Sequence, residues 1–360
     1  MNQPGTKEIF TTFFRLGLIA FGGPVAHVGL MEEVLVKEKK WLDSQTFLDL
    51  MSVSNLIPGP NSTELAIGIG YRLGGVKGLL AAGSAFILPA MTIVMGFALL
   101  YVRYGTMPLL TNILTGIQPV VLAIILSALL RLFKKTMTEP LAYLLAGLLV
   151  VWQLVWQPQE VLLLLGGAAL YFLAKRVRAN RLRAVSLLPL SVLFATFVKI
   201  GALLFGSGYV LIAFLQTEFV DRLGVLTSKQ LLDAVALGQV KPGPLFTTAT
   251  FVGTILSGPV GGLVATVGIF LPSFLLVGII MPFAQKLRAS KKLSLLLDGI
   301  NIASLALFTA VTLRLVPEFI RSPVSVGVFL LSAWLVIKKG VKAHWMILGG
   351  ALFGVLLSLF

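Results

Sequence analysis

The chain has 360 residues, 57% hydrophobic and 12% charged, where a soluble domain carries about 25% charged residues; its mean hydropathy of +0.97 excludes a compact soluble enzyme and predicts a polytopic membrane protein. Lys and Arg number 29 against 14 acids, but they fall in short clusters between apolar runs, the pattern of cytoplasmic loops and not of a nucleic-acid partner. There is no Cys, only His27 and His344, and no G-x-x-x-x-G-K-[ST] loop, so thiolate chemistry, Cys or His metal centres, bound cofactors and a P-loop ATPase are not expected.

The polar start Met1–Lys7, with no A-x-A site behind a short apolar run, predicts no cleaved leader. A span needs about 20 mostly apolar residues. In chain order, full spans are predicted at 13–31, 78–102, 108–130, 141–156, 160–174, 187–215, 260–285, 293–314, 324–337 and 343–360. Two stretches do not fit. FLDLMSVSNLI (47–57), Pro58-Gly59-Pro60 and NSTELAIGIGY (61–71) form one; LLDAVALGQVK (231–241), Pro242-Gly243-Pro244 and LFTTATFVG (245–253) form the other. Proline lacks the amide donor, clashes with the preceding turn and keeps its predecessor out of the helical region. Each stretch is therefore two half-length helices around a break, and broken backbone in a bilayer must be buried in protein or line a watery cavity.

The halves repeat. FFRLGLIAFGGP (13–24) aligns with FVKIGALLFGSG (197–208), so Arg15 meets Lys199 and Gly17 meets Gly201. At the same offset Ser44 meets Ser228, Asp49 meets Asp233 and the PGP motifs coincide; after a one-residue gap, Gly70 meets Gly253, Gly78 meets Gly261 and Leu88-Pro89 meets Leu271-Pro272. Basic clusters at 131–135, 175–183, 286–292 and 338–342 assign those loops to the cytoplasm. If each PGP hairpin enters and leaves on one side, each half crosses an odd number of times and the second half is inverted. The expectation is an all-α fold of two inverted-topology repeats, about ten full spans plus two broken re-entrant hairpins. Residues 1–174 form the first repeat, 175–186 a basic cytoplasmic linker and 187–360 the second repeat, with both termini outside the cytoplasm.

Inverted repeats with broken helices point to a secondary transporter site, and the residue chemistry favours an anion. Each PGP leads into a helix start, Asn61-Ser62-Thr63 in one half and Leu245-Phe246-Thr247-Thr248 in the other. Helix-start amides lack internal partners and carry the positive end of the dipole. Gly59 and Gly243 allow close approach. Lys241 precedes the second PGP, and a mid-membrane Lys requires a cavity or a partner. Glu64, four residues after the first PGP, is a candidate partner and a route to proton coupling; a static ion pair is the alternative. Arg15 and Lys199 read either as snorkelling residues or as an entry funnel. Asp49 and Asp233 read as helix-start stabilisers or as partners of a base rather than as substrate ligands, and Asp298 reads either as a protonation site or as a packing residue. His27 follows the glycine-broken Gly22-Gly23-Pro24 and reads as structural or as a secondary site residue. Pro58, Pro60, Pro242 and Pro244 are the helix breaks. An intramembrane enzyme built on Glu64 and Lys241 is a remote alternative, because no nucleophile–base or metal spacing supports it.

FGGPVAH (21–27), Trp41-Leu42, Phe47-Leu48-Asp49-Leu50, NLIPGPNSTELAIGIGYRLGG (55–75), KIGALLFGSGY (199–209), GQVKPGP (238–244), TATFVG (248–253) and IFLPSF (269–274) resemble the chromate ion transporter family, in its long two-repeat form. The resemblance implies export of chromate from the bacterial cytoplasm across the inner membrane, powered by the proton-motive force, with sulfate as the chemical lookalike. It carries the family's motif positions onto Gly22, Gly23, Pro24, His27, Asn55, Pro58, Gly59, Pro60, Thr63, Gln239, Pro242, Gly243, Pro244 and Thr247. The sequence departs from the family at Ser207, where glycine is common, at Lys241, where a small polar residue is expected, and at Glu64, where Gln is frequent. The expected partners are chromate or sulfate, protons and the bilayer; a homodimer, common among transporters, is left open.

Overall fold

The computed structural model describes residues 4–21, 24–105, 107–137, 140–156, 189–205, 208–283, 291–320 and 322–357. Among these it is helical, with no strand. They group into two compact units, each drawing on both halves of the sequence: Met1–Leu99 with Pro189–Gly208 and Lys241–Leu293, and Leu100–Leu188 with Tyr209–Val240 and Ser294–Phe360. The predicted span 160–174, the linker 175–186, Gly22 and Gly23 lie outside the described residues.

In the first unit, α1 (Thr6–Ile19) buries Ile9, Thr12, Phe13, Leu16 and Gly17, one helical stripe. Its counterpart α7 (Leu190–Leu203) buries Leu193, Thr196, Phe197, Ile200 and Gly201, the same five positions of the repeat. A methyl on Gly17 would sit 2.7 Å from the Phe86 carbonyl oxygen, and one on Gly201 2.1 Å from that of Ile269, so in both copies glycine lets the backbones touch. Each helix is 14 residues long, about 21 Å, and falls short of the roughly 30 Å hydrocarbon core. The predicted spans 13–31 and 187–215 are therefore corrected. The first divides into α1 and α2 (Pro24–Glu32), which runs into a π-helical segment Glu33–Glu38. The second divides into α7 and α8 (Val210–Leu215), continued by the π-helical segment Gln216–Arg222. Pro24 opens α2, and a helix does not run through the residue before proline.

After α3 (Ser44–Ser54) and the first PGP comes α4 (Ser62–Tyr104), which breaks at Gly74 and Gly75, the latter at φ +57°. In the second half, α9 (Ser228–Val240) precedes the second PGP, a 3-10 turn Leu245–Thr247, and α10 (Thr248–Ile280), which breaks at Ser257 and Gly258 (φ +66°). Eight residues along a straight helix span about 12 Å. Yet a methyl on Gly70 would lie 2.4 Å from the Gly78 carbonyl oxygen, and one on Gly253 2.3 Å from that of Gly261. Each helix thus folds back on itself at its break. Between the apolar runs that end at 71 and 253 and those that begin at 78 and 260, the chain turns at two-residue hinges, and a left-handed φ is why glycine stands at each second hinge position.

The second unit holds α5 (Pro108–Thr136), α6 (Pro140–Trp156), α9, most of α11 (Lys291–Phe319), α12 (Pro323–Lys338) and α13 (Ala343–Leu357). Gly350 and Gly354 of α13 pack on α5, where a methyl on Gly116 would lie 2.3 Å from the Gly350 carbonyl oxygen. This is the small-xxx-small contact of membrane helices. Among the described residues, four stretches are long and apolar enough to cross a membrane: Ser62–Tyr104, Leu110–Lys134, Leu245–Ile280 and Gly299–Pro317. Composition and these helices make the protein membrane-integral.

Candidate functional site

Both PGP turns belong to the first unit, and each closes onto the first helix of the opposite repeat. Gly59 N–H donates to the Leu204 carbonyl at 2.7 Å, and Gly243 N–H to the Ala20 carbonyl at 2.9 Å. Ala20 and Leu204 are the C-caps of α1 and α7, where helix carbonyls lack internal partners. Both PGP glycine amides are thus consumed in bracing the opposite repeat. Of the helix-start amides, Ser62 N–H donates to the Pro60 carbonyl at 2.6 Å and Thr247 N–H to that of Pro244 at 3.2 Å. Gly59 (φ +141°), Gly243 (φ +83°) and Asn61 (φ +58°) take left-handed backbone, which Gly and Asn tolerate best. A methyl on Gly208 would lie 3.8 Å from Pro60 Cβ and 3.5 Å from Leu245 Cβ, so the two turns meet across this residue.

The side chains around the first turn are polar and buried. Glu64 is fully buried, and its Oε1 accepts a 2.6 Å hydrogen bond from Ser273 Oγ of α10 while Oε2 has no partner. The carboxyl lies directly over Gly59, where a methyl would come within 1.9 Å of Oε1. His27 Nδ1 is 3.1 Å from Ser62 Oγ; its Nε2 is buried without a partner, and its ring stands edge-on to Phe86. Thr63 Oγ1 is likewise buried and unpartnered. Buried polar atoms normally find partners; three orphaned atoms on His27, Thr63 and Glu64 mark the start of α4 as a place equipped for a ligand.

At the second turn, Lys241 is 5% exposed and its Nζ donates to the Pro244 carbonyl. That carbonyl also accepts the Thr247 hydroxyl at 2.8 Å, and Thr248 Oγ1 is spent on the Leu245 carbonyl at 2.8 Å. An ammonium has three donors, and one shared carbonyl leaves capacity for an acceptor with charge. The expected Glu64–Lys241 pair does not form among the described residues: Glu64 takes Ser273, Lys241 takes Pro244.

The remaining predicted residues scatter. Asn55 caps α3 and is exposed, as is Arg15 on α1, while Lys199 is half-buried. Pro58, Pro60, Pro242 and Pro244 are buried in the turns. Gln239 belongs to the second unit, where it bonds Tyr209. Ser273 was absent from the residues read as a site; it lies in the IFLPSF stretch, 209 positions from Glu64, and only the fold joins them.

The family model for chromate transporters matches the chain twice, at residues 7–172 and 191–355. The chain belongs to the chromate transporter family. It is 30% identical over 319 residues to a probable chromate transport protein of Synechococcus elongatus, covering 83% of this chain and 81% of that one. It is 31% identical over 337 residues to a chromate transport protein of Pseudomonas aeruginosa, covering 86% and 80%. With a chromate transport protein of Cupriavidus metallidurans it shares 28% over 370 residues, covering 97% and 92%. No solved structure matches the chain. These relatives are transporters by name, and the membrane-integral fold agrees with that class.

Proposed function

We propose that this protein exports chromate across a bacterial inner membrane, coupled to protons, with the oxyanion bound where the two PGP turns meet. The observation that carries the reading is Lys241: a buried ammonium beside the second turn, with one carbonyl for its three donors. Left alone, such a charge is costly in a bilayer, and a tetrahedral dianion would complete its shell. Thr63, Ser62 and His27 would supply hydroxyl and ring donors; Thr247, Thr248 and the glycine amides would hold the turns in shape. Glu64 is the proton-coupling residue. Its carboxyl lies over Gly59 at the start of α4, where an anion would bind. Two negative groups crowd one another there, so the anion's arrival favours the protonated Glu64; the two cross together, and the dianion's remaining negative charge is what the membrane-potential part of the proton-motive force drives outward.

In this reading residues 1–174 and 187–360 are oppositely oriented repeats, joined by the basic 175–186 linker on the cytoplasmic side, with periplasmic termini. The matching stripes of α1 and α7 and the reciprocal PGP braces support the duplication. The test is everted membrane vesicles: chromate accumulates when a proton gradient is imposed, stops when it is collapsed, and is competed by sulfate. A protein blind to chromate and indifferent to the gradient would overturn the assignment. Labelling that found residues 72–77 and 254–260 on one face would overturn the inversion.

A further inference from the structure

We propose that Asp233, with Tyr101 and Gln118, forms a second proton-binding site, in the other unit from Glu64. Asp233 is 1% exposed on α9, flanked by buried Leu232, Ala234, Val235 and Ala236. Its Oδ2 accepts the Tyr101 hydroxyl at 2.9 Å, and its Oδ1 the Gln118 amide at 3.4 Å. Both donors are neutral, and no salt bridge to Asp233 occurs among the described residues. Lys229, one turn earlier on the same helix, acts on it from an exposed position.

Among the other ionisable groups on elements packed against α9, Lys134 of α5 is exposed and the following have partners or neighbours of their own. Glu218 pairs with Arg222; Asp221 accepts from Gln216 and lies 3.9 Å from Arg314; Arg131 donates to Ser127; the His344 ring lies tilted beside Trp345. Burying an ionised carboxylate is costly, and hydrogen bonds to the charged group repay a comparable amount. The terms are of one size, so neither protonation state wins by a wide margin. A Lys or Arg partner would have pinned the charge.

The shell also serves both states. A tyrosine hydroxyl donates or accepts, and a glutamine amide can present either nitrogen or oxygen. The protonated acid would donate to Tyr101, and the ionised one accepts from it. Gln118 immediately precedes Pro119 inside α5, where the ladder lacks a donor and the helix can bend. A proton on Asp233 therefore acts on the residue beside a helix-interior proline.

The experiment is infrared titration of the purified full-length protein in nanodiscs, without any anion, across about pH 5 to pH 9. A protonated-carboxyl band that titrates in the wild type should vanish in Asp233→Asn and persist in Glu64→Gln. Tyr101→Phe, which removes one hydroxyl, should raise the pH at which that band disappears by about one unit. If wild type and Asp233→Asn give the same bands, or Tyr101→Phe leaves every midpoint in place, Asp233 is a fixed charge and the proposal fails. Should Asp233→Asn not fold, the Tyr101→Phe midpoint decides alone. Because no substrate is added, this result is separate from success or failure of chromate transport.

Discussion

The two PGP turns share a backbone and differ in chemistry. Both put glycine at positive φ, and both donate its amide to the C-cap of the opposite repeat's first helix. Around that common frame the side chains diverge. The first turn has Ile57 before it and Glu64 after it; at the constant repeat offset the second has Lys241 and Thr248. The residue pressed on the first turn is Ser273, which bonds Glu64; the one pressed on the second is Ala90, which only packs on Gly243. Duplication supplied a symmetric frame, and divergence placed the acid at one turn and the base at the other. Frame and chemistry should therefore be separable by mutation.

The frame carries the largest effect. Gly243→Ala adds a methyl 2.7 Å from Ala90 Cβ at φ +83°. Left-handed strain and overlap each cost about 1–3 kcal/mol, and folded yield should collapse. Adding Ala90→Gly removes the overlap but not the strain, so the double variant should regain part of the loss in a size-exclusion or thermal-stability assay. Equal yields for single and double variants would mean the packing at the second turn is immaterial.

Chemistry comes next. Lys241→Met keeps the volume and removes the charge. A hydrogen bond to a charged group is worth about 1.5–3 kcal/mol, so chromate affinity should fall roughly ten- to a hundredfold with folding intact. Unchanged affinity in a binding titration would take Lys241 out of the site. Glu64→Gln should leave chromate exchange running while flattening its dependence on the proton gradient; an unaltered pH profile would end its coupling role. Ser273→Ala should shift that profile by a smaller amount, and Ala90→Ser at the matching position should leave it unmoved. Equal shifts from both would show that the asymmetry between the turns is cosmetic.

The breaks and the duplication were legible because proline and glycine act locally and because the repeated motifs keep their order. Pro58 and Pro242 interrupt helices whatever surrounds them. The division of 187–215 at residue 204 was not legible: its motif is Gly-Ser-Gly with no proline, and the α7 end is set by the Gly243-type brace that its twin, Gly59, makes to Leu204 from far along the chain. The fold-back at Gly75 and Gly258 is not legible in the sequence, because Arg72 and Lys77 flank the first hinge and charge suggests a longer solvated turn. Partner choice was least legible. Glu64 and Lys241 attract on paper, but each found a neutral oxygen, from Ser273 and Pro244, through contacts only the packed helices create.

The smallest predicted effect lies at the starts of α3 and α9, where the repeats again diverge at matched positions. Asp43 caps α3 by accepting Thr46 N–H at 2.8 Å and the Thr46 hydroxyl at 2.7 Å, and these donors hold its carboxyl below the ordinary range. In the second repeat Thr227 accepts Gln230 N–H at 3.2 Å, and Gln230 Oε1 takes Thr227 N–H at 2.9 Å, a capping box with nothing to titrate. A carboxyl whose folded pKa is depressed stabilises fully above its unfolded value, about 3.9, and that help is lost as pH falls through the folded value. Acidification should therefore weaken hydrogen-exchange protection of the Thr46 amide relative to that of Gln230. Asp43→Ala should remove the difference in pH response and leave Thr46 weakly protected throughout. Parallel loss at both amides in the wild type would mean that acid acts on the whole unit and that the charged cap contributes nothing of its own.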